Sequence, residues 1–194
     1  MPSACPNGPL RFPADLVLEP AASRVAWSGD YLAVDVETWP GIGDYEVVRK
    51  HDAVGIVAVT PAGDALLVEQ FRPPVRTSLV EIPAGLLDVE GEDALTCAER
   101  ELFEETGHRS AETAFLGGTY LSPGFTAEYI HLFWARTTAE PEGEPEEGIT
   151  VVRMPLHRAV SAAREGKVRN AMTALGLLLA ASTPGLRDAA TSPS

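Results

Sequence analysis

The chain is short of the residues that build disulfide or metal-thiolate frameworks, and short of positive charge. Its 194 residues include two cysteines, Cys5 and Cys97, far apart and outside any C-x-x-C pattern. Neither a disulfide framework nor a zinc site is therefore expected, and Cys97 reads as a small helical filler. Lys and Arg number 15 against 28 Asp and Glu, a formal net charge of -13. Counterion-release binding needs clustered basic side chains, so neither nucleic acid nor an anionic membrane is an expected partner. No stretch approaches the roughly 20 apolar residues of a membrane-spanning helix, and the start, MPSACPNGPLRFPADL, lacks the basic, apolar, small-residue order of a secretory leader. A cytoplasmic protein is expected.

What is present suffices for a core, since 45% of the residues are hydrophobic. Segments 1–12 and 183–194 are rich in Pro, Ser and small residues and read as loose tails. Between them, 31–37 (YLAVDVE) and 45–49 (YEVVR) read as short strands around the turn-prone WPGIGD. The apolar run 53–59 and segment 65–69 flank the turn TPAGD and suggest a strand pair buried in the main core. A helical pattern covers 93–106: Asp93 suits the N-cap, Leu95, Ala98 and Leu102 recur at helical spacing toward a core, and Gly107 suits the stop. Strands are expected at 114–120, 129–135 and 149–154, and helices at 156–165 and 170–181. Strands interleaved with one strong internal helix and a helical end indicate an α/β sandwich around a mixed sheet.

The informative segment is GLLDVEGEDALTCAERELFEETGH, from Gly85 to His108. On a helix, Glu101, Glu104 and Glu105 share one face, and three like charges there repel. A solvated acidic face is the ordinary reading of such a group. A bound cation is the sharper one, because Mg²⁺ favours oxygen ligands, keeps several waters and also grips phosphate. Arg100, adjacent in sequence, is placed to hold one of these carboxylates.

The spacing favours the sharper reading. Glu92, Arg100, Glu101, Leu102, Glu104, Glu105 and Gly107 resemble the Nudix box, G-x5-E-x7-R-E-U-x-E-E-x-G-U with U apolar. Two positions depart from it: Gly85 to Glu92 is G-x6-E, and His108 stands where the last apolar residue belongs. QFRPPV, EIPAGLLD and LSPGFTAE resemble the ADP-ribose and sugar-nucleotide branch of that family.

The resemblance implies a Nudix-type α/β/α sandwich with a mixed β-sheet over 51–182, preceded at 13–50 by a small antiparallel β segment. It implies Mg²⁺-dependent hydrolysis of ADP-ribose to AMP and ribose 5-phosphate, with Mn²⁺ or another divalent ion as the alternative metal. Glu101 and Glu105 become metal ligands, Glu104 an additional one, and the Ala84 carbonyl a further one. Arg72 resembles the branch's phosphate-binding arginine, a plain surface arginine being the other reading. Pro123 stands where a proline accompanies ADP-ribose hydrolysis, although S-P-G is also a common turn. Glu128 is either an assistant in that loop or a surface residue at the start of a strand. The run AEPEGEPEEGIT reads as a mobile solvated loop, and the resemblance places a catalytic glutamate there, Glu147 first and Glu146 second.

The N-terminal strands bury too little to stand alone and need a surface to pack on. The resemblance implies a homodimer that exchanges this segment, with Tyr45 and Glu46 holding adenine. Asp44 stands where many members carry arginine. The alternatives are a Nudix hydrolase of another nucleoside diphosphate derivative, a nucleotide sugar or a dinucleotide, and, from another class, a non-catalytic ADP-ribose-binding sensor.

Overall fold

The computed structural model describes residues 18–183 and residue 186. The expected tail 1–12, the first residues of the expected N-terminal segment and nearly all of the tail 183–194 lie outside the described residues.

Seven strands form the main sheet: β4 (Ala53–Val59), β5 (Asp64–Arg72), β6 (Thr77–Glu81), β7 (Ala84–Leu86), β8 (Ser110–Tyr120), β9 (Tyr129–Thr137) and β10 (Thr150–Pro155). Their order is β10-β5-β4-β9-β8, with β6 beside β5 and β7 beside β4. The β4–β9 pair is parallel and its neighbours are antiparallel, so the sheet is mixed as expected. Every residue of β4 is buried, which follows from cover on both faces. Val54, Ile56 and Ala58 meet Cys97, Ala98 and Leu102 of α1 (Ala94–Thr106). Val57 and Val59 face the other way, onto Leu156 and Val160 of α2 (Leu156–Arg164) and Leu177 of α3 (Ala171–Ala180). The result is the α/β/α sandwich.

The expected α1 forms because its ends are satisfied. Asp93 accepts a bond from the Thr96 N–H at 2.9 Å, and Gly107 closes the helix at φ 71°. One detail of its facing is corrected: Leu102 is fully buried, but Leu95 is 42% exposed. The buried side of α1 runs through Cys97, Ala98, Leu102, Glu105 and Thr106. Leu95 lies in the first turn of the helix and outside its buried side, so correct spacing did not guarantee cover.

A separate antiparallel meander precedes this body: β1 (Ala22–Ser28), β2 (Ala33–Trp39) and β3 (Gly43–Arg49). It is joined to the loop after β8 by the Val48 N–H, which donates to the Phe125 carbonyl at 2.7 Å, and by the Tyr45 hydroxyl, which donates to the Gly124 carbonyl at 2.6 Å. Every residue of β1 is exposed. Among the described residues no helix is long and apolar enough to cross a membrane.

Candidate active site

Helix α1 presents its carboxylates to the segment PAG at the start of β7. Pairing of Gly55 with Ala84 sets β7 beside β4, over the helix. The Ala84 N–H donates to Glu105 Oε2 at 2.9 Å. Gly85 lies directly on Glu101: a Cβ at that position would fall 2.0 Å from the Glu101 carboxyl carbon. No residue with a side chain fits there while Glu101 keeps its place. The glycine thus does its steric work although it stands one residue farther from Glu92 than the box prescribes, the turn between absorbing the extra residue.

Arg100 organises the acidic face from the side. Its Nε and Nη2 donate to the two oxygens of Glu92 at 2.9 and 3.0 Å. Its Nη1 donates to Glu101 at 2.7 Å and to Glu104 at 2.9 Å. One guanidinium therefore holds three carboxylates, where the sequence suggested one. The Arg100 contact holds the Glu92 carboxyl below its ordinary range. Glu101 and Glu105 move the other way. Burial raises Glu101 against the pull of Arg100. Glu105, 5% exposed, is pushed up to about 8, chiefly by burial, opposed by the Ala84 N–H and reinforced by the Glu101 charge. A buried carboxylate beside a partly buried one, both resisting ionisation, suits a site completed by a cation.

The oxygen-only donors fit Mg²⁺, which takes one or two carboxylates, retains waters and shares phosphate oxygens. Glu101, Glu105 and the Ala84 carbonyl would form that set. Among the described residues no three or more His, Cys, Asp or Glu side chains converge as a ready-made cluster. Glu101 and Glu104 lean on Arg100 instead.

The acidic loop before β10 is largely exposed, as expected, and is hydrogen-bonded to the end of α1. The N–H groups of Glu142 and Gly143 donate to the Gly107 carbonyl at 2.7 and 3.2 Å, and the Glu146 N–H donates to the Glu104 carbonyl at 2.9 Å. Gly107 serves twice here: it turns left-handed, and a Cβ on it would stand 2.1 Å from the Gly143 carbonyl oxygen. Through this docking the Glu146 charge reaches both Glu101 and Glu105. Glu147 is exposed beside it. His108, the other departure from the box, fills an apolar slot with both ring nitrogens engaged, Nδ1 with the Thr106 carbonyl at 2.9 Å and Nε2 with Arg153 at 3.0 Å.

Residues 49–175 match the family model described as NUDIX domain. The chain belongs to the NUDIX domain family and is a hydrolase of it. It is 35% identical over 136 residues to a methanol dehydrogenase activator of Bacillus methanolicus, covering 68% of this chain and 73% of the relative. It is 35% identical over 153 residues to an ADP-ribose pyrophosphatase of Bacillus subtilis strain 168, covering 76% of this chain and 82% of the relative. A crystal structure of an ADP compounds hydrolase matches in fold with a TM-score of 0.71 at 20% identity, over 84% of this chain and 91% of that one.

Within the Nudix site, the expected residues fall into two groups. Glu101, Glu104, Glu105, Ala84 and Arg72 gather around α1, and the Arg72 charge reaches Glu105. Tyr45, Glu46, Pro123 and Glu128 lie around the N-terminal sheet, with no hydrogen bond or ion pair to that group among the described residues. Tyr45 and Pro123 line a cleft of about 560 Å³ together with Trp39, Ile42, Tyr120 and Phe125. Glu46 is exposed on β3. Glu128 is 7% exposed and ion-paired with Lys50 at 2.6 Å, so it is not a surface residue. Sequence reasoning missed Glu81 of EIPAG, a buried carboxylate that Arg72 grips at 2.7 Å. Its signal was a charged residue in an otherwise apolar segment.

In the metal-free protein the folded state holds a proton on Glu105 from its ordinary value of 4.5 up to about 8. The folded state then binds more protons than the unfolded state, so stability falls as pH rises through that window. The Tm of the metal-free protein is expected to drop between about pH 5 and about pH 8.5, less steeply in Glu105→Gln, with Mg²⁺ restoring part of the loss. Equal slopes for wild type and Glu105→Gln would contradict the assignment.

Proposed function

We propose that the chain is a Mg²⁺-dependent pyrophosphohydrolase that converts ADP-ribose and water into AMP and ribose 5-phosphate, with Mn²⁺ as the alternative ion. The observation that carries this reading is the buried Glu105 and the partly buried Glu101 on α1, seated against PAG with Arg72 in electrostatic reach of Glu105. Similarity to the Bacillus subtilis enzyme supports the substrate. When bound, Mg²⁺ neutralises diphosphate oxygens and activates the attacking water.

In this reading Glu101 and Glu105 hold the ion with the Ala84 carbonyl, Glu104 assists, and Arg100 keeps Glu101 in place. Arg72 holds a phosphate of the substrate. A loop carboxylate takes the proton as the water oxygen bonds to phosphorus and the P–O–P bridge breaks. Glu147 is the choice from sequence. What supports Glu146 instead is its bond to α1 and the reach of its charge to both metal-binding carboxylates. Tyr45 and Glu46 take adenine, with the apolar cleft around Pro123 as its platform.

Steady-state hydrolysis of ADP-ribose tests this, set beside a panel of other nucleotide sugars and dinucleotides. Glu101→Gln and Glu105→Gln are expected to lower kcat by at least about 100-fold with the fold intact, and Glu146→Gln to lower kcat more than Glu147→Gln. Near-normal turnover of Glu105→Gln at limiting Mg²⁺ would rule out the metal assignment. A higher kcat/KM for another nucleoside diphosphate derivative would move the function to the alternative substrate class.

The same reading makes the protein a homodimer. β1 is exposed along its whole length, and Val25, Trp27 and Ile42 of the meander stand 58%, 56% and 64% exposed, apolar surface that a second copy would bury. Light scattering is expected to give twice the chain mass, and Trp27→Asp to shift it toward the monomer with loss of ADP-ribose affinity. A fully active monomer, or a chain beginning at His51 that binds ADP-ribose normally, would overturn the dimer.

A further inference from the structure

Glu81 is the last residue of β6, just before the PAG segment, and only 1% of its surface is exposed. The mechanism above leaves it unused. A buried carboxylate is costly unless paired and hydrogen-bonded, and Glu81 is fully engaged. Arg72 Nε and Nη2 both donate to its Oε2, at 2.9 and 2.7 Å. Asn170 Nδ2 donates to its Oε1 at 2.6 Å.

Asn170 is itself fixed. As N-cap of α3 its side-chain oxygen accepts from the Thr173 N–H at 2.8 Å, and the Thr173 hydroxyl accepts from the Ile82 N–H at 3.0 Å. Three elements thus meet behind one guanidinium. The Arg72 side chain stays 39% exposed, and its Nη1 makes no hydrogen bond among the described residues. A guanidinium gripped along one edge presents its other edge in a single orientation, as bidentate phosphate binding requires.

We infer that Glu81, backed by Asn170, is a positioning residue that fixes Arg72 to receive one phosphate of the substrate. This rests on the reading of Arg72 as the phosphate-binding arginine. A Glu81 that merely tied β6 to α3 would act independently of Arg72.

The test is steady-state kinetics with ADP-ribose at saturating Mg²⁺ on four proteins: wild type, Glu81→Gln, Arg72→Ala and the double variant, each with its melting curve. Glu81→Gln is expected to raise KM about tenfold with kcat within about threefold of wild type, the pattern of lost ground-state binding. Arg72→Ala should raise KM at least as much, and Glu81→Gln should add less than about twofold in that background. An equal rise of KM in both backgrounds, or no rise in wild type, overturns the inference. If Arg72→Ala alone leaves KM unchanged, the role of Arg72 fails on its own and the inference falls with it. Should Glu81→Gln lack a cooperative melt, Asn170→Ser keeps a capping oxygen but cannot reach Glu81. It should raise KM about threefold in wild type and not in Arg72→Ala, and an unchanged KM in wild type again overturns the inference.

Discussion

The structure depends on how two glutamates one helical turn apart, one buried and one partly buried, can be withdrawn from water together. Glu101 and Glu105 repel, and removal from water disfavours the charge of each. A displacement of the Glu105 carboxyl from 4.5 to about 8 corresponds to several kcal/mol, more than an exposed ion pair contributes. The fold meets the constraint by geometry: Arg100 binds Glu101 from one side, and Gly85 and the Ala84 N–H close on the pair from the other. In the proposed function a cation would add the charge that protein groups leave unsupplied.

Arginines at this site are held from behind by carboxylates of other segments. Arg100 is gripped through Nε and Nη2 by Glu92, from the turn before the helix. Arg72 is gripped through the same two nitrogens by Glu81, on the neighbouring strand. Each leaves Nη1 to face outward, toward Glu101 and Glu104 in the first case and toward substrate in the proposed second. Such preorganisation lowers the entropic cost of aligning a long side chain when ligand arrives.

Much of this was legible in the sequence because it is local. The eight-residue step from Glu92 to Arg100, the caps Asp93 and Gly107, and the buried run 53–59 each carry their signal within a few turns. The mixed sheet followed from the alternation of such segments. What could not be read depends on long-range pairing. β6 and β7 are short and exist through their partners β5 and β4, and β1 was missed because its alternation faces no core within the chain. Leu95 kept helical spacing but found no cover. Glu81 meets Asn170 across 89 positions, so no spacing rule could pair them. The bonds of the acidic loop to the Gly107 and Glu104 carbonyls likewise join segments that no local pattern pairs.

The most direct test of the central claim is the proton count on metal binding. Mg²⁺ is titrated calorimetrically into the protein at about pH 7 in two buffers of different ionisation enthalpy. With the Glu105 carboxyl near 8, close to one proton should leave per metal bound, fading toward zero by about pH 9 and absent in Glu105→Gln. Metal binding at pH 7 that releases no proton from the wild-type protein would contradict the claim that burial holds Glu105 protonated until the cation arrives.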